Sequence, residues 1–180
     1  MKLAAYNNSW YRPGSAIKIA LWSIVNAVFF NHSLAFFSSF KCFLLRMFGA
    51  KVGKRVVIKP SVHIKYPWFL NIADDVWIGE KVWIDNLAKV IIDNNVCISQ
   101  GVLLLTGNHD YKKITFDLIV GTILLEEGVW LGAQSVVCPG IICKAYSILT
   151  VGSVATKSLE SYGIYSGIPA EKIRSREILP

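Results

Sequence analysis

Charge, histidine and cysteine are all in short supply in this chain of 180 residues. Only 17% of the residues are charged against 53% hydrophobic, a balance that implies a buried interface between copies or a surface turned toward a membrane. The four cysteines, Cys42, Cys97, Cys138 and Cys143, show no paired spacing. That argues against a disulfide framework or a zinc site and fits a reducing cytoplasm. Of three histidines, only His63 and His109 fall in the repeating part of the chain, too few for a multi-histidine metal centre, so no metal is expected. There is no dense Lys/Arg run and no nucleic-acid-binding module, so nucleic acid is not the expected partner of the formal net charge of +7. The charge points instead to the phosphates of a nucleotide-like cofactor or to anionic lipid headgroups. No apolar run follows Met1-Lys2 closely enough for a signal peptide. The apolar segment 16–30 is interrupted by Lys18 and Asn26 and falls short of the ~20 residues of a spanning helix.

What the chain does have is a period of six. Apolar residues stand at Val52, Ile58, Ile64, then Ile72, Ile78, Ile84, then Ile92, Ile98, Leu104, and from Ile119 through Leu125, Leu131, Val137, Cys143, Leu149 and Ala155. Neither a helix nor a free-standing amphipathic strand repeats at six. A hexapeptide β-helix does, each hexad giving one short strand and one corner. Three hexads close a triangular coil, and stacked coils bury their apolar residues in one continuous core.

The register breaks after every third hexad. Ile64 to Ile72 and Ile84 to Ile92 are eight positions apart and Leu104 to Ile119 fifteen, so the insertions emerge at one corner of successive coils. That corner should display Lys65-Tyr66-Pro67-Trp68, then Asp85-Asn86-Leu87, then the long loop 105–118 with Thr106-Gly107-Asn108-His109-Asp110-Tyr111. A regular solenoid has no structural need of such loops, and loops on a rigid scaffold are where function sits. His109 is the candidate proton acceptor, since its ordinary pKa near 6.5 suits that role at neutral pH. Tyr66, Trp68, Trp83, Asp85, Asn86, Asn108 and Asp110 are candidates for holding a sugar, which offers polar edges and an apolar ring face. For the aromatic residues, packing against a helical cap or a neighbouring subunit is an equal alternative. Either Asp110 or a backbone carbonyl can orient the His109 ring.

The chain divides into an apolar helical cap at 1–50, the β-helix at 51–160 and a closing segment at 161–180, with residues 171–179 expected as a short helix or tail. The two apolar stretches 16–30 and 34–48, the second stopping at Gly49, read as two helices over the open end of the solenoid. They pack on the solenoid or a sister subunit, or lie in a membrane interface with Lys18, Lys41 and Arg46.

The hexapeptide register, the loop Thr106-Gly107-Asn108-His109-Asp110, the block Val129-Trp130-Leu131-Gly132-Ala133 and the run Gly152-Ser153-Val154-Ala155-Thr156-Lys157 resemble the hexapeptide-repeat acyltransferases. Val57-Ile58-Lys59-Pro60 through Tyr66-Pro67-Trp68, Val76-Trp77-Ile78-Gly79 and Ile98-Ser99-Gln100 are most similar to the colanic acid biosynthesis acetyltransferases. The resemblance implies a left-handed parallel β-helix, a homotrimer with sites between subunits, and acetyl-CoA as donor. It implies a cytoplasmic O-acetyltransferase of exopolysaccharide or capsule sugars, a lipid-linked acceptor at the inner face of the membrane being one form of that substrate. His109 matches the catalytic base. Trp130, Gly132, Ala133 and Val151 match positions along the pantetheine arm, Thr156 and Lys157 the pair near the adenosine phosphates, and Arg174 a basic residue at the nucleotide end. Glu171 departs from a basic position of some relatives. In the expected register, Gly132, Ala133 and Val151 share the corner of His109. Acetylation of an amine on a nucleotide-linked sugar, and a silent scaffold, are the competing readings.

Overall fold

The computed structural model describes residues 1–33 and 36–179, so Leu34 and Ala35 of the second apolar stretch lie outside the described residues. After an extended N-terminal arm, α1 (Ala16–Val25) starts at Ser15, whose hydroxyl accepts the Lys18 backbone N–H. It runs on through a π-helical turn, Asn26–Phe30. α2 (Ser38–Met47) ends before Gly49, which takes the left-handed φ of +98° that favours glycine.

The solenoid then winds in coils of three short strands. The first holds β1 (Lys51–Val52), β2 (Val57–Ile58) and β3 (His63–Ile64). The second holds β4 (Leu70–Ile72), β5 (Trp77–Ile78) and β6 (Trp83–Asp85), and the third β7 (Val90–Ile92), β8 (Cys97–Ile98) and β9 (Leu103–Leu105). A hairpin of β10 (Gly107–His109) and β11 (Leu118–Val120) leaves the prism. The fourth coil is β12 (Ile123–Leu125), β13 (Trp130–Leu131) and β14 (Val136–Val137); the fifth is β15 (Ile142–Cys143), β16 (Ile148–Leu149) and β17 (Val154–Ala155). A last turn bridges Leu159 to Cys143 and adds β18 (Gly163–Gly167) to β16, completing about six turns. The three faces are parallel sheets in the orders β1-β4-β7-β12-β15, β2-β5-β8-β13-β16-β18 and β3-β6-β9-β14-β17.

Like residues stack on like. Ile58, Ile78, Ile98, Leu131 and Leu149 form a buried ladder on the second face, and Ile64, Ile84, Leu104, Val137 and Ala155 one on the third. The corners repeat as well. Arg55, Asp75, Asn95, Gly128 and Tyr146 at the first, and Ser61, Lys81, Gly101, Gln134 and Gly152 at the second, all have positive φ.

Two expectations are corrected. Ile119 is not an inward residue of the repeat. It lies half-exposed in β11 opposite Asn108, and the first face resumes only at Ile123–Leu125 beside β7. The excursion therefore covers residues 106–122, and every later hexad falls one face earlier than the period of six implied. Nor is the closing segment helical. β19 (Ala170–Ser175) folds back antiparallel on β18, because the last coil offers an unpaired strand edge, and only the residues after it form a tail.

The opposite edge, on the first coil, is covered by side chains of the helical cap. Trp22 Nε1 donates to the Ile64 carbonyl at 2.7 Å, the buried Lys41 amine to Lys59 at 2.9 Å, and Arg46 to Val52 and Gly53 at 3.0 and 2.7 Å. Asn26 Oδ1 accepts the Ile64 N–H, and its amide nitrogen donates to His63 Nδ1 at 2.9 Å. Each satisfies a backbone or ring group that has no further coil to bond.

Gly79→Ala should test the stacking. A Cβ there would sit 2.7 Å from the Gln100 nitrogen and the Ser99 carbonyl carbon, backbone of the next coil that cannot step aside. Unfolding in denaturant should show a loss of about 1–3 kcal/mol. His63 gives a pH test. Burial, with Lys65 assisting and Asp85 opposing, holds its pKa below the ordinary 6.5. The folded chain then binds fewer protons than the unfolded one, so this contribution is present above the unfolded pKa and is lost as pH falls through the folded one. Unfolding midpoints measured between about pH 7 and pH 5 should fall more steeply for the wild type than for His63→Gln.

Candidate active site

The excursion after β9 is tied down at its neck. Thr106 is fully buried; its N–H and hydroxyl both donate to the Asp85 carbonyl, at 3.2 and 2.8 Å, and its Oγ1 accepts the Ala88 N–H at 3.0 Å. The Gly121 N–H closes the other side onto the Thr106 carbonyl at 2.8 Å. Gly107 follows where any Cβ would collide with the Leu87 side chain.

On this base His109 is held from three sides. Its Nδ1 lies 2.9 Å from the Phe116 carbonyl, its ring stacks on the Phe116 ring at 4.3 Å and 4°, and Tyr6 meets it edge-on at 5.5 Å. A carbonyl oxygen can only accept, so Nδ1 carries a proton, and in the neutral ring the lone pair is on Nε2. Of the two ways of orienting this ring, the carbonyl is realised. Asp110 instead accepts the Lys112 N–H with its carboxylate, and Asn108 Oδ1 accepts the His109 N–H. Neither Tyr6 nor Phe116 was readable as a site residue, since the arm that brings Tyr6 is about a hundred residues away in sequence. Its anchors to the solenoid are tertiary: the Lys2 N–H donates to the Ile114 carbonyl, the Tyr11 hydroxyl to the Leu87 carbonyl at 2.6 Å, and Trp68 Nε1 to the Pro13 carbonyl at 2.6 Å.

The acceptor candidates separate. Asn86 is fully buried, and its amide both accepts the Tyr66 N–H at 2.9 Å and donates to the Tyr66 carbonyl at 2.6 Å; it clamps one insertion to the next and has no face left for a ligand. Trp68 is taken by packing: it stacks on Tyr66 at 5.2 Å, covers Gly14 and carries the Lys18 ammonium over its ring. Asp85 is nearly buried and paired with Lys65 at 2.9 Å. It lies close enough to Tyr11 that its charge, after burial and Tyr66, helps push that phenol well above its ordinary pKa. Trp83 remains half-exposed on the third face, edge-on to His63.

Of the expected cofactor residues, Gly132, Ala133 and Val151 are not at the His109 corner. With the later hexads one face earlier than expected, Gly132, Ala133 and Val151 lie at the corner between the second and third faces, whereas the His109 excursion leaves between the third and first. There they line a largely apolar groove of about 500 Å³ with Ser99, Gln100 and Trp130, whose indole N–H donates to Ser99 at 3.0 Å. Trp130 and Ile148 also line an adjoining hollow of about 680 Å³ that reaches Arg174 and Arg176 on the closing hairpin and tail. Of the two guanidinium groups, Arg176 donates to the Gly128 and Tyr146 carbonyls at 2.9 and 3.3 Å, and Glu177 lines the same hollow beside Arg174. Gly132 is also needed by the fold, since a Cβ would lie 2.6 Å from the Val151 nitrogen. Thr156 and Lys157 are exposed after β17, on the His109 corner two coils further on, about 10 Å along the prism. Among the described residues no cluster of three or more His, Cys, Asp or Glu is arranged to hold a metal ion.

No protein-family model matches the chain. WcaF of Escherichia coli K12, by name a colanic acid biosynthesis acetyltransferase, is 39% identical over 166 residues, 92% of this chain and 91% of WcaF. The galactoside O-acetyltransferase of the same strain is 27% identical over 81% of this chain and 73% of its own length. Among solved structures, the hexapeptide-repeat acetyltransferase VCA0836 of Vibrio cholerae with acetyl coenzyme A superposes with a TM-score of 0.81 at 20% identity, over 93% of each chain. A galactoside acetyltransferase with coenzyme A gives 0.80 at 22% identity, over 89% of this chain and 82% of its own. At those identities the two structures establish the fold.

The clamp at Asn86 yields a test that separates architecture from substrate binding. Asn86→Ala leaves the half-buried Tyr66 N–H without its partner and takes one of two hydrogen bonds from the Tyr66 carbonyl, which still accepts the Phe69 N–H. It should lower the unfolding free energy by about 1–3 kcal/mol, measured by denaturant titration, and an unchanged midpoint would return Asn86 to the acceptor site.

Proposed function

The chain belongs to the hexapeptide-repeat acetyltransferases of the colanic acid biosynthesis type, and from that premise we propose that it moves the acetyl group of acetyl-CoA onto a hydroxyl of an exopolysaccharide or capsule sugar. The observation that carries this reading is the His109 ring. Its Nδ1–H is committed to the Phe116 carbonyl and its faces to Phe116 and Tyr6, so the one free function is a basic Nε2 on an outward-facing loop.

In this mechanism Nε2 of His109 takes the proton of the acceptor hydroxyl as its oxygen attacks the thioester carbonyl. A C–O bond forms, the carbonyl electrons move onto oxygen, and the tetrahedral oxyanion collapses by breaking the C–S bond. The imidazolium returns its proton to the departing thiolate, so His109 ends as it began. The Phe116 carbonyl stabilises the cation formed midway, because Nδ1–H then donates to it from a charged ring.

The donor is proposed to lie along the groove at Gly132, Ala133 and Val151, under Trp130, with its phosphates toward Arg174. On one chain that groove and His109 occupy different corners of a rigid prism. The separation supports a site shared between copies, in which the His109 corner of one subunit faces the groove corner of the next, as in a trimer. Thr156 and Lys157, on the same corner as His109 and two coils on, then line the phosphate end of the same cleft. The acceptor lies on the other side of His109, toward Asp85, Tyr11 and the half-exposed Trp83.

His109→Ala should lower turnover with acetyl-CoA and sugar acceptors by about 10²–10⁴-fold while acetyl-CoA affinity by calorimetry stays within a few-fold. Near-normal turnover in the variant would remove His109 as the base. Failure of the wild type to bind acetyl-CoA would remove the activity itself and leave a scaffold.

A further inference from the structure

The helical cap has two faces, and only the inner one has a structural task. Inward, Trp22, Asn26, Lys41 and Arg46 satisfy the first coil. Outward, a helix of this kind ordinarily presents polar residues. In α1 and its π-helical extension the outer positions are instead Ile17, Leu21, Ile24 and Val28, spaced four, three and four apart and all exposed, Ile17 at 74%. In and beside α2 they are Phe37, Phe43 and Met47, exposed at 84%, 54% and 66%. A cluster of Phe29, Phe36 and Phe40, with ring centroids 5.2–6.5 Å apart, joins the two stripes into one patch.

The charge around this patch has one sign. The first 73 residues of the chain contain ten Lys and Arg and no Asp or Glu; every acidic residue lies from Asp74 onward. Within that basic end Arg55 pairs with Asp75 and Lys65 with Asp85, both from the second coil, and Lys41 is buried. The remaining seven, Lys51 and Lys54 on the exposed rim of the first coil among them, have no acidic ion-pair partner among the described residues. No described helix is long and apolar enough to cross a membrane. A continuous apolar face on short helices, set in a wholly basic end of the molecule, has the chemistry of an interfacial element for anionic lipid. A second copy on the same face would bring two basic ends together, and the charge opposes that.

We propose that the outer face of α1 and α2 docks the protein on an anionic phospholipid bilayer, lying in the interface without crossing it. The proposal is independent of the acetyl-transfer reading. The test is sedimentation of the full chain with vesicles of phosphatidylcholine alone and with vesicles containing phosphatidylglycerol, at low and high salt. Binding should require phosphatidylglycerol and weaken with salt. The double variant Leu21→Glu with Phe43→Glu, both at exposed positions, should lose about tenfold or more in partitioning at an unchanged unfolding midpoint. A second variant, Lys51→Glu with Lys54→Glu, touches no apolar side chain and should weaken binding and flatten its salt dependence. Absence of pelleting with phosphatidylglycerol vesicles, equal pelleting on neutral ones, or wild-type partitioning by both variants would overturn the proposal. So would sedimentation velocity showing that Leu21→Glu with Phe43→Glu breaks a lipid-free assembly into monomers, since the patch would then be an interface between copies.

Discussion

Everything in this molecule is subordinate to the hydrogen-bond ladder between successive coils. Each strand bonds only to its counterparts one coil before and one after, so a coil may not gain or lose a residue within a face without breaking three sheets at once. The sequence obeys by repeating at six, by placing left-handed residues at the same corner of each coil, and by using glycine where neighbouring backbones touch, as at Gly79 and Gly132. Surplus residues can leave only at a corner, and here they leave at the third. The solenoid thereby delivers Tyr66, Asp85 and His109 to one edge in a fixed order, and the rigidity that forbids slippage within a face also fixes the loop that carries His109.

A ladder has two ends, and their treatment explains both termini. At the first coil, carbonyls that would have met another coil are met by Trp22, Lys41 and Arg46, so a lysine amine is buried and its pKa pushed down. At the last coil the chain supplies its own partner by folding β19 back on β18. An antiparallel return strand protects that edge with backbone alone, whereas the helices must do it with side chains. That difference accounts for the polar groups on the inner face of the cap and leaves its apolar outer face without an explanation inside the monomer.

The period of six, the insertions at one corner and the loop carrying His109 were legible because they are local properties of the chain. The register after the loop was not. Ile119 stands six before Leu125, as a repeat residue should, yet it belongs to a hairpin strand whose partner, Asn108, is chosen by tertiary pairing. One coincidence of spacing moved every later hexad by a face, and with it the corner assigned to Gly132, Ala133 and Val151. Asn86 and Trp68 misled for a related reason: polar and aromatic groups on a functional edge resemble ligand contacts, and only the Tyr66 backbone and the Pro13 carbonyl reveal that both are spoken for. Tyr6 could not be found from sequence at all, because no pattern links an extended arm to the ring it touches.

That one-face displacement changes the argument about function more than any single residue does. Had the groove and His109 shared a corner, a lone chain would hold both halves of a site. Placed on two corners of a prism whose faces are continuous sheets, they cannot be brought together by bending, since closing the distance would shear the ladder that makes the fold. A loop motion does not serve either, because His109 is fixed by Phe116 within its own hairpin and by a neck bonded to Asp85 and Gly121. On the acetyl-transfer reading, this geometry is the argument for the proposed site shared between copies. If the site is shared in that way, a substitution that separates the copies while leaving each solenoid folded would abolish turnover without touching a residue of either half-site.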